Sequence, residues 1–167
     1  MSLPTNIPTG TSATDSLDTR SHSRSAIDPE SILEGPGSED EDIYVENILD
    51  HYRHPHHFGK LESCTLKHHE LNPLCGDRLE LFIALDATEK IVDASFLGKG
   101  CAISQASMSM LTDKMKGMSL QDLKAITKQD ILEMLGIPVG IVRMKCALLS
   151  LKTLQKGIEQ YETGELK

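Results

Sequence analysis

The chain contains no tryptophan, and aromatic residues make up only 4% of its 167 positions. A core must therefore be built from Leu, Ile, Val, Ala and Met. No apolar run approaches the roughly 20 residues needed to cross a bilayer. The N-terminus also lacks the charged-then-apolar order of a secretory signal, so no membrane partner is expected. Cations are scarce: 17 Lys and Arg stand against 25 Asp and Glu, for a formal charge of −8. With no basic stripe, nucleic acid is not an expected partner either. Paired CxxC knuckles are missing, which excludes the usual spacing of a zinc finger. The compartment that fits these absences is a reducing cytoplasm. There, four cysteines point to metal ligands or reactive thiols before disulfides. Arg20 and Arg24 among serines are the only hint of an organelle-targeting peptide, and the acidic residues around them oppose it.

The acidity itself is localised. Residues 1–42 carry nine acidic and two basic side chains, a net of −7, and the rest of the chain is close to neutral. Residues 1–40 are rich in Ser, Thr, Pro, Gly and Asp, too polar to offset the entropy of ordering them. They are expected to form a disordered tail ahead of one domain at 41–167.

Within that domain, Ser38 is a plausible N-cap, and Tyr44, Ile48, Leu49 and Tyr52 share a helical face that ends near Pro55 and Gly59. Strands are expected at 64–71, 79–86 and 91–98, the second with Leu79, Leu81, Ile83 and Leu85 on one side. The "ATEK" stretch between the last two is a hairpin-length connection. Gly98 and Gly100 then permit a bend into a helix from Ala102 to Met115, whose first half is nearly all small residues. Ser119 with Asp122, and Thr127 with Asp130, read as capping boxes of two short helices. After Gly136 and Pro138, one long final helix is expected from about Val142 to Tyr161. The order predicts an α+β domain, a three-stranded antiparallel sheet packed by helices.

Three cysteines sit at chemically special places. Cys75 lies in "NPLCGDRL" on a Pro/Gly turn beside Asp77, where a metal ligand or a nucleophile fits better than a core residue. Cys101 sits where the glycine bend enters a helix, and the dipole there is expected to lower its thiol pKa. Cys146 is flanked by Arg143 and Lys145, whose charges are expected to act the same way. If the ends of these elements converge, three thiolates and the Asp77 carboxylate have the ligand count of a tetrahedral metal site. The long, irregular spacing alone also fits incidental free cysteines. Cys64, with no turn or helix start beside it, is expected to be a plain loop or strand cysteine. The histidines of "HYRHPHH" (His51, His54, His56, His57) read as polar groups at a helix end before they read as a metal site. His68 and His69 would point to opposite faces of a strand.

The segments "NPLCGDRLELFIAL", "FLGKGCAISQASMSML" and "RMKCALLSLKTLQKG", in that order, resemble the iron–sulfur cluster scaffold proteins of the IscU/SufU type, the fold of the N-terminal domain of NifU. "ILDHYRHPHHFGKL" is similar to the family's opening helix and turn, and the likeness spans roughly residues 43–160. It implies that Cys75, Asp77, Cys101 and Cys146 hold a nascent cluster, usually [2Fe–2S], or a single iron or zinc ion before it. It also implies partners: a cysteine desulfurase that supplies persulfide sulfur, and apo-proteins or carriers that receive the cluster. Thiolates suit iron–sulfur clusters and zinc alike, and a harder carboxylate ligand keeps such a site easy to open.

Both branches leave marks on this chain. Lys145 stands where IscU proteins have a histidine, and Arg143–Cys146 is similar to SufU. The short Gly117–Arg143 interval is IscU-like, and "GIPVGIVR" in place of "LPPVK" argues against docking of a dedicated Hsp70. The leading expectation is a binding and transfer protein rather than an ordinary enzyme. The alternative is a zinc-dependent sulfur acceptor, with Cys75 as the persulfide acceptor and Arg143 and Lys145 as electrostatic support. A purely structural zinc domain ranks third.

Overall fold

The computed structural model describes residues 39–164. Residues 1–38 of the expected tail, with the Ser38 cap, lie outside the described residues, and the last two tail positions, Glu39 and Asp40, already open the first helix. The elements run α1 (Glu39–Arg53), β1 (Leu66–Leu71), β2 (Arg78–Leu85), β3 (Ile91–Lys99), α2 (Ala102–Met115), α3 (Leu120–Lys124), α4 (Lys128–Leu135), α5 (Ile141–Ala147) and α6 (Leu149–Thr163). The expected α+β class holds.

The sheet is an antiparallel meander in the order β1-β2-β3. Leu79, Leu81 and Ile83 alternate along β2 and are fully buried, as period-2 patterning requires. Helices α2 and α6 cover this face. A bulge between Ala84 and Leu85 interrupts the register there, so Leu85 is only half-buried. Phe82 points the other way, and the Lys67 ammonium lies 5.4 Å from its ring centroid.

Helix α2 starts and stops where its sequence pattern predicts, and it is buried on nearly every side. Ala102, Ser104, Ala106, Ser107 and Ser109 are small enough to let neighbours approach closely, and all are buried. A buried hydroxyl must find a partner. Ser107 Oγ donates to the Ala147 carbonyl at 2.8 Å, and Thr112 Oγ1 donates to the Ser109 carbonyl at 2.7 Å. Both expected capping boxes form, Ser119 with Asp122 and Thr127 with Asp130. Helix α4 ends on Gly136 in the left-handed region at φ 65°, and a Cβ there would fall 2.0 Å from the Tyr44 ring. This contact explains why half-exposed Tyr44 belongs to the inner face of α1.

The long final helix is not continuous. It divides at Leu148 (φ −88°, ψ 2°) into α5 and α6. Cys146 therefore lies in the last turn of a short helix rather than near the start of a long one.

Candidate metal centre

The sheet register assembles one end of the molecule. Leu71 pairs with Arg78, so residues 72–77 form the loop that closes β1 onto β2. Arg78 in turn pairs with Lys99, which brings the end of β3 alongside that loop. Asp77 thus lies next to Gly100 and Cys101. The loop is tied by Gly76 N–H donating to the Asn72 carbonyl and Asn72 N–H donating to the Asp77 carbonyl, both at 2.8 Å. Gly76 supplies the φ of 75° that the turn needs. Gly100 has a different role: a Cβ there would sit 2.6 Å from Ser104 Oγ and 2.8 Å from Asp77 Cγ.

Cys75, Asp77 and Cys146 come together. A sulfur from each cysteine and a carboxylate oxygen all lie within 4.8 Å of one another. The Cys146 and Cys75 sulfurs are 3.5 Å apart, close to the roughly 3.8 Å that two thiolates adopt on one tetrahedral zinc. Asn72 Nδ2 reaches toward Cys146 Sγ at 3.8 Å. Cys101 is the N-cap of α2, as expected, and its backbone N–H donates to Asp77 Oδ1 at 3.3 Å. Its sulfur, 3.7 Å from Ser104 Oγ, stays outside the 4.8 Å group. All three cysteines line one cavity of about 610 Å³, together with Tyr52, Arg143 and Lys145. Cys75 is exposed, Cys101 half-buried and Cys146 buried. Cys64 is half-buried just ahead of β1 and joins no such cluster.

The electrostatics reverse the expected direction. Burial pushes the Cys146 thiol up, and Cys101, Cys75 and Asp77 add to the rise. Burial also raises Cys101; a backbone hydrogen bond at Ser104 offsets part of this, while the Asp77 carboxylate reinforces it. Sequence proximity to Arg143 and Lys145 is outweighed, because Lys145 is exposed to solvent while Cys146 is buried among other acidic groups. Buried Asp77 carries the mark of an incomplete site. Oδ2 is shut off from solvent with no hydrogen-bond partner among the described residues. A cation would complete such a set: it would partner the orphan oxygen, replace the thiol protons and relieve the mutual repulsion. Three soft sulfurs and one oxygen suit zinc or iron.

Sequence reasoning missed Asn72 and Ser104. The "NP" dipeptide marks Asn72 as a turn residue, since its Oδ1 accepts from the Leu74 N–H at 3.2 Å. No local pattern signals its contact with Cys146. No helix among the described residues is long and apolar enough to cross a membrane.

Comparison with known proteins places this architecture. The family model "NifU-like N terminal domain" matches residues 43–167. The zinc-dependent sulfurtransferase SufU of Bacillus subtilis is 34% identical over 139 residues, covering 73% of this chain and 93% of that protein. The iron–sulfur cluster assembly scaffold protein IscU of Haemophilus influenzae is 33% identical, covering 73% of this chain and 98% of that protein. Among solved structures, a putative SUF-system scaffold from Fervidobacterium islandicum superposes with a TM-score of 0.61 at 29% identity. That alignment covers 73% of this chain and 99% of the other. The chain belongs to the NifU-like N-terminal domain family, the IscU/SufU type of iron–sulfur cluster assembly scaffold.

Proposed function

We propose that this protein assembles an iron–sulfur cluster as cargo, usually [2Fe–2S], on Cys75, Asp77, Cys101 and Cys146, and hands it to apo-proteins or carriers. The observation that carries the reading is the buried, unpartnered Asp77 oxygen beside thiols held on three separate elements. Cys75, on the exposed loop, is the sulfur acceptor. Its thiolate attacks the outer sulfur of the desulfurase persulfide, and the S–S bond of that persulfide breaks. The desulfurase thiolate leaves, and a persulfide remains on Cys75. Each sulfur so delivered needs two electrons from an external reductant to become bridging sulfide. Cys101 and Cys146, sheltered from solvent, then hold iron, while the carboxylate keeps one coordination bond weak enough to open. Arg143 and Lys145 at the cavity mouth steer the partner by charge.

A second reading treats zinc as the resident ion and sulfur relay as the whole function. The similarity to the Bacillus subtilis zinc-dependent sulfurtransferase and the Lys145 position favour it. One anaerobic experiment separates the two. The freshly isolated chain is assayed for zinc and iron, then given desulfurase, cysteine, ferrous iron and a reductant. Scaffold activity yields a visible charge-transfer spectrum that Cys75→Ser, Cys101→Ser and Cys146→Ser each abolish. Tight zinc with strong desulfurase stimulation and no colour selects the relay. Neither colour nor stimulation sinks both.

A further inference from the structure

The histidine run that spans the last turn of α1 and the turn after it converges on a second cluster at the other end of α2. His56 Nδ1 lies 2.7 Å from Asp113 Oδ2, and His57 Nε2 lies 3.1 Å from Asp113 Oδ1. The His51 ring stands 4.4 Å from the His56 ring, tilted by 54°. One ring nitrogen from His51, one from His56 and a carboxylate oxygen of Asp113 all lie within 4.8 Å of one another. His54 turns away to Asp50 and takes no part.

We infer that His51, His56 and Asp113, with His57 at the rim, form a second metal site for a first-row divalent ion of the zinc class, independent of the cysteine centre. Four observations carry it. The donor set, two imidazoles and a carboxylate, matches borderline ions rather than calcium or magnesium. The ligands are pre-positioned: Ser109 Oγ accepts from the His56 backbone N–H and pairs with His51 Nδ1, each at 2.8 Å. The turn is fixed as well, since Phe96 N–H donates to the His57 carbonyl at 3.0 Å and holds His57 at φ 53°. Finally, α1 and α2 both reach their C-terminal ends here, and the negative ends of two helix dipoles favour a cation.

The protonation state agrees with that geometry. Burial lowers the His51 pKa, and the neighbouring His56 lowers it further, against the raising effects of Asp113 and Asp50. A neutral imidazole keeps the lone pair a metal needs. Cys101 caps α2 and Asp113 lies in its last turns, so the two centres are separated by roughly 18 Å along the helix axis. An ion here must open the 2.7 Å contact between His56 Nδ1 and Asp113 Oδ2 and take up both atoms as ligands.

The test uses the untagged full chain. Cobalt(II) and zinc are titrated anaerobically into a Cys75→Ser/Cys101→Ser/Cys146→Ser variant. One ion per chain is expected, and the cobalt form should show weak visible ligand-field bands without near-ultraviolet thiolate charge transfer. Adding His56→Gln or Asp113→Asn should weaken binding by about tenfold or more, while His54→Gln leaves it unchanged. In parallel, the chain with all its cysteines should hold two zinc ions, and its His56→Gln/Asp113→Asn variant one. A triple variant, with Cys64 as its one remaining thiol, that binds no ion at millimolar cobalt, or binding indifferent to His56 and Asp113, overturns the inference. The parallel stoichiometry decides the matter should the triple variant not fold. Failure here leaves the cysteine centre untouched, since that is read from the wild-type spectrum.

Discussion

Helix α2 ends in two polar clusters of opposite character. At its N-terminus, Asp77 Oδ2 is buried without a partner, and two thiols are pushed upward by burial and by the Asp77 carboxylate beside them. At its C-terminus, Ser109 satisfies His51 and the His56 backbone, and Asp113 holds His56 and His57. The first arrangement is unfavourable until something binds. The second is already part of what holds the fold together. A buried group left without a partner favours ligand binding outright, whereas an ion at the histidine end must replace hydrogen bonds already made.

That contrast breaks if substitutions at the two ends act alike. The largest expected effect is on metal affinity. Cys75→Ser, Cys101→Ser or Cys146→Ser should each weaken zinc binding at the thiol end by about a hundredfold or more, measured by chelator competition. Next comes Ser109→Ala at the other end. It strips partners from His51 and the His56 amide, and should cost about 1–3 kcal/mol in urea melts of the metal-free chain. Asp77→Asn should move in the opposite direction, raising metal-free stability by about 1 kcal/mol while weakening the metal. A loss of stability there would contradict the orphaned oxygen.

The smallest effect is a pH dependence. In the fold, both thiols titrate above the ordinary 9.0. A raised folded pKa gives a contribution that is complete below the unfolded value and lost as pH climbs through the folded one. The metal-free chain should therefore lose Tm as pH rises above about 9, and a Cys101→Ser/Cys146→Ser variant should lose less.

Much of this was legible from residue patterns, and the failures share a cause. Helix α2 and the two capping boxes are set by neighbours within a few positions, so local chemistry predicts their limits. The break at Leu148 is not local. Leu148 and Leu149 continue the apolar pattern without Gly or Pro, whereas in the fold both helices meet α2 and only α6 also covers β1 and β2. Cys75, Asp77 and Cys146 do meet, as their places at element ends suggested, while the Cys101 sulfur stands slightly apart. The thiol pKa direction was misjudged because burial depends on the whole fold, whereas Arg143 and Lys145 are visible in the sequence. The histidines read as polar groups at a helix end since their partner, Asp113, lies 57 positions from His56.

The pairing of Arg78 with both Leu71 and Lys99 makes the donor geometry answerable to the hydrophobic interior. Sliding β2 by one position would turn Leu79, Leu81 and Ile83 outward and carry Asp77 away from Cys101 in the same motion. Misregistered chains would thus expose oily surface and lose their ligands together. Correct ion capture is proofread by the burial of three aliphatic side chains that never touch the ion.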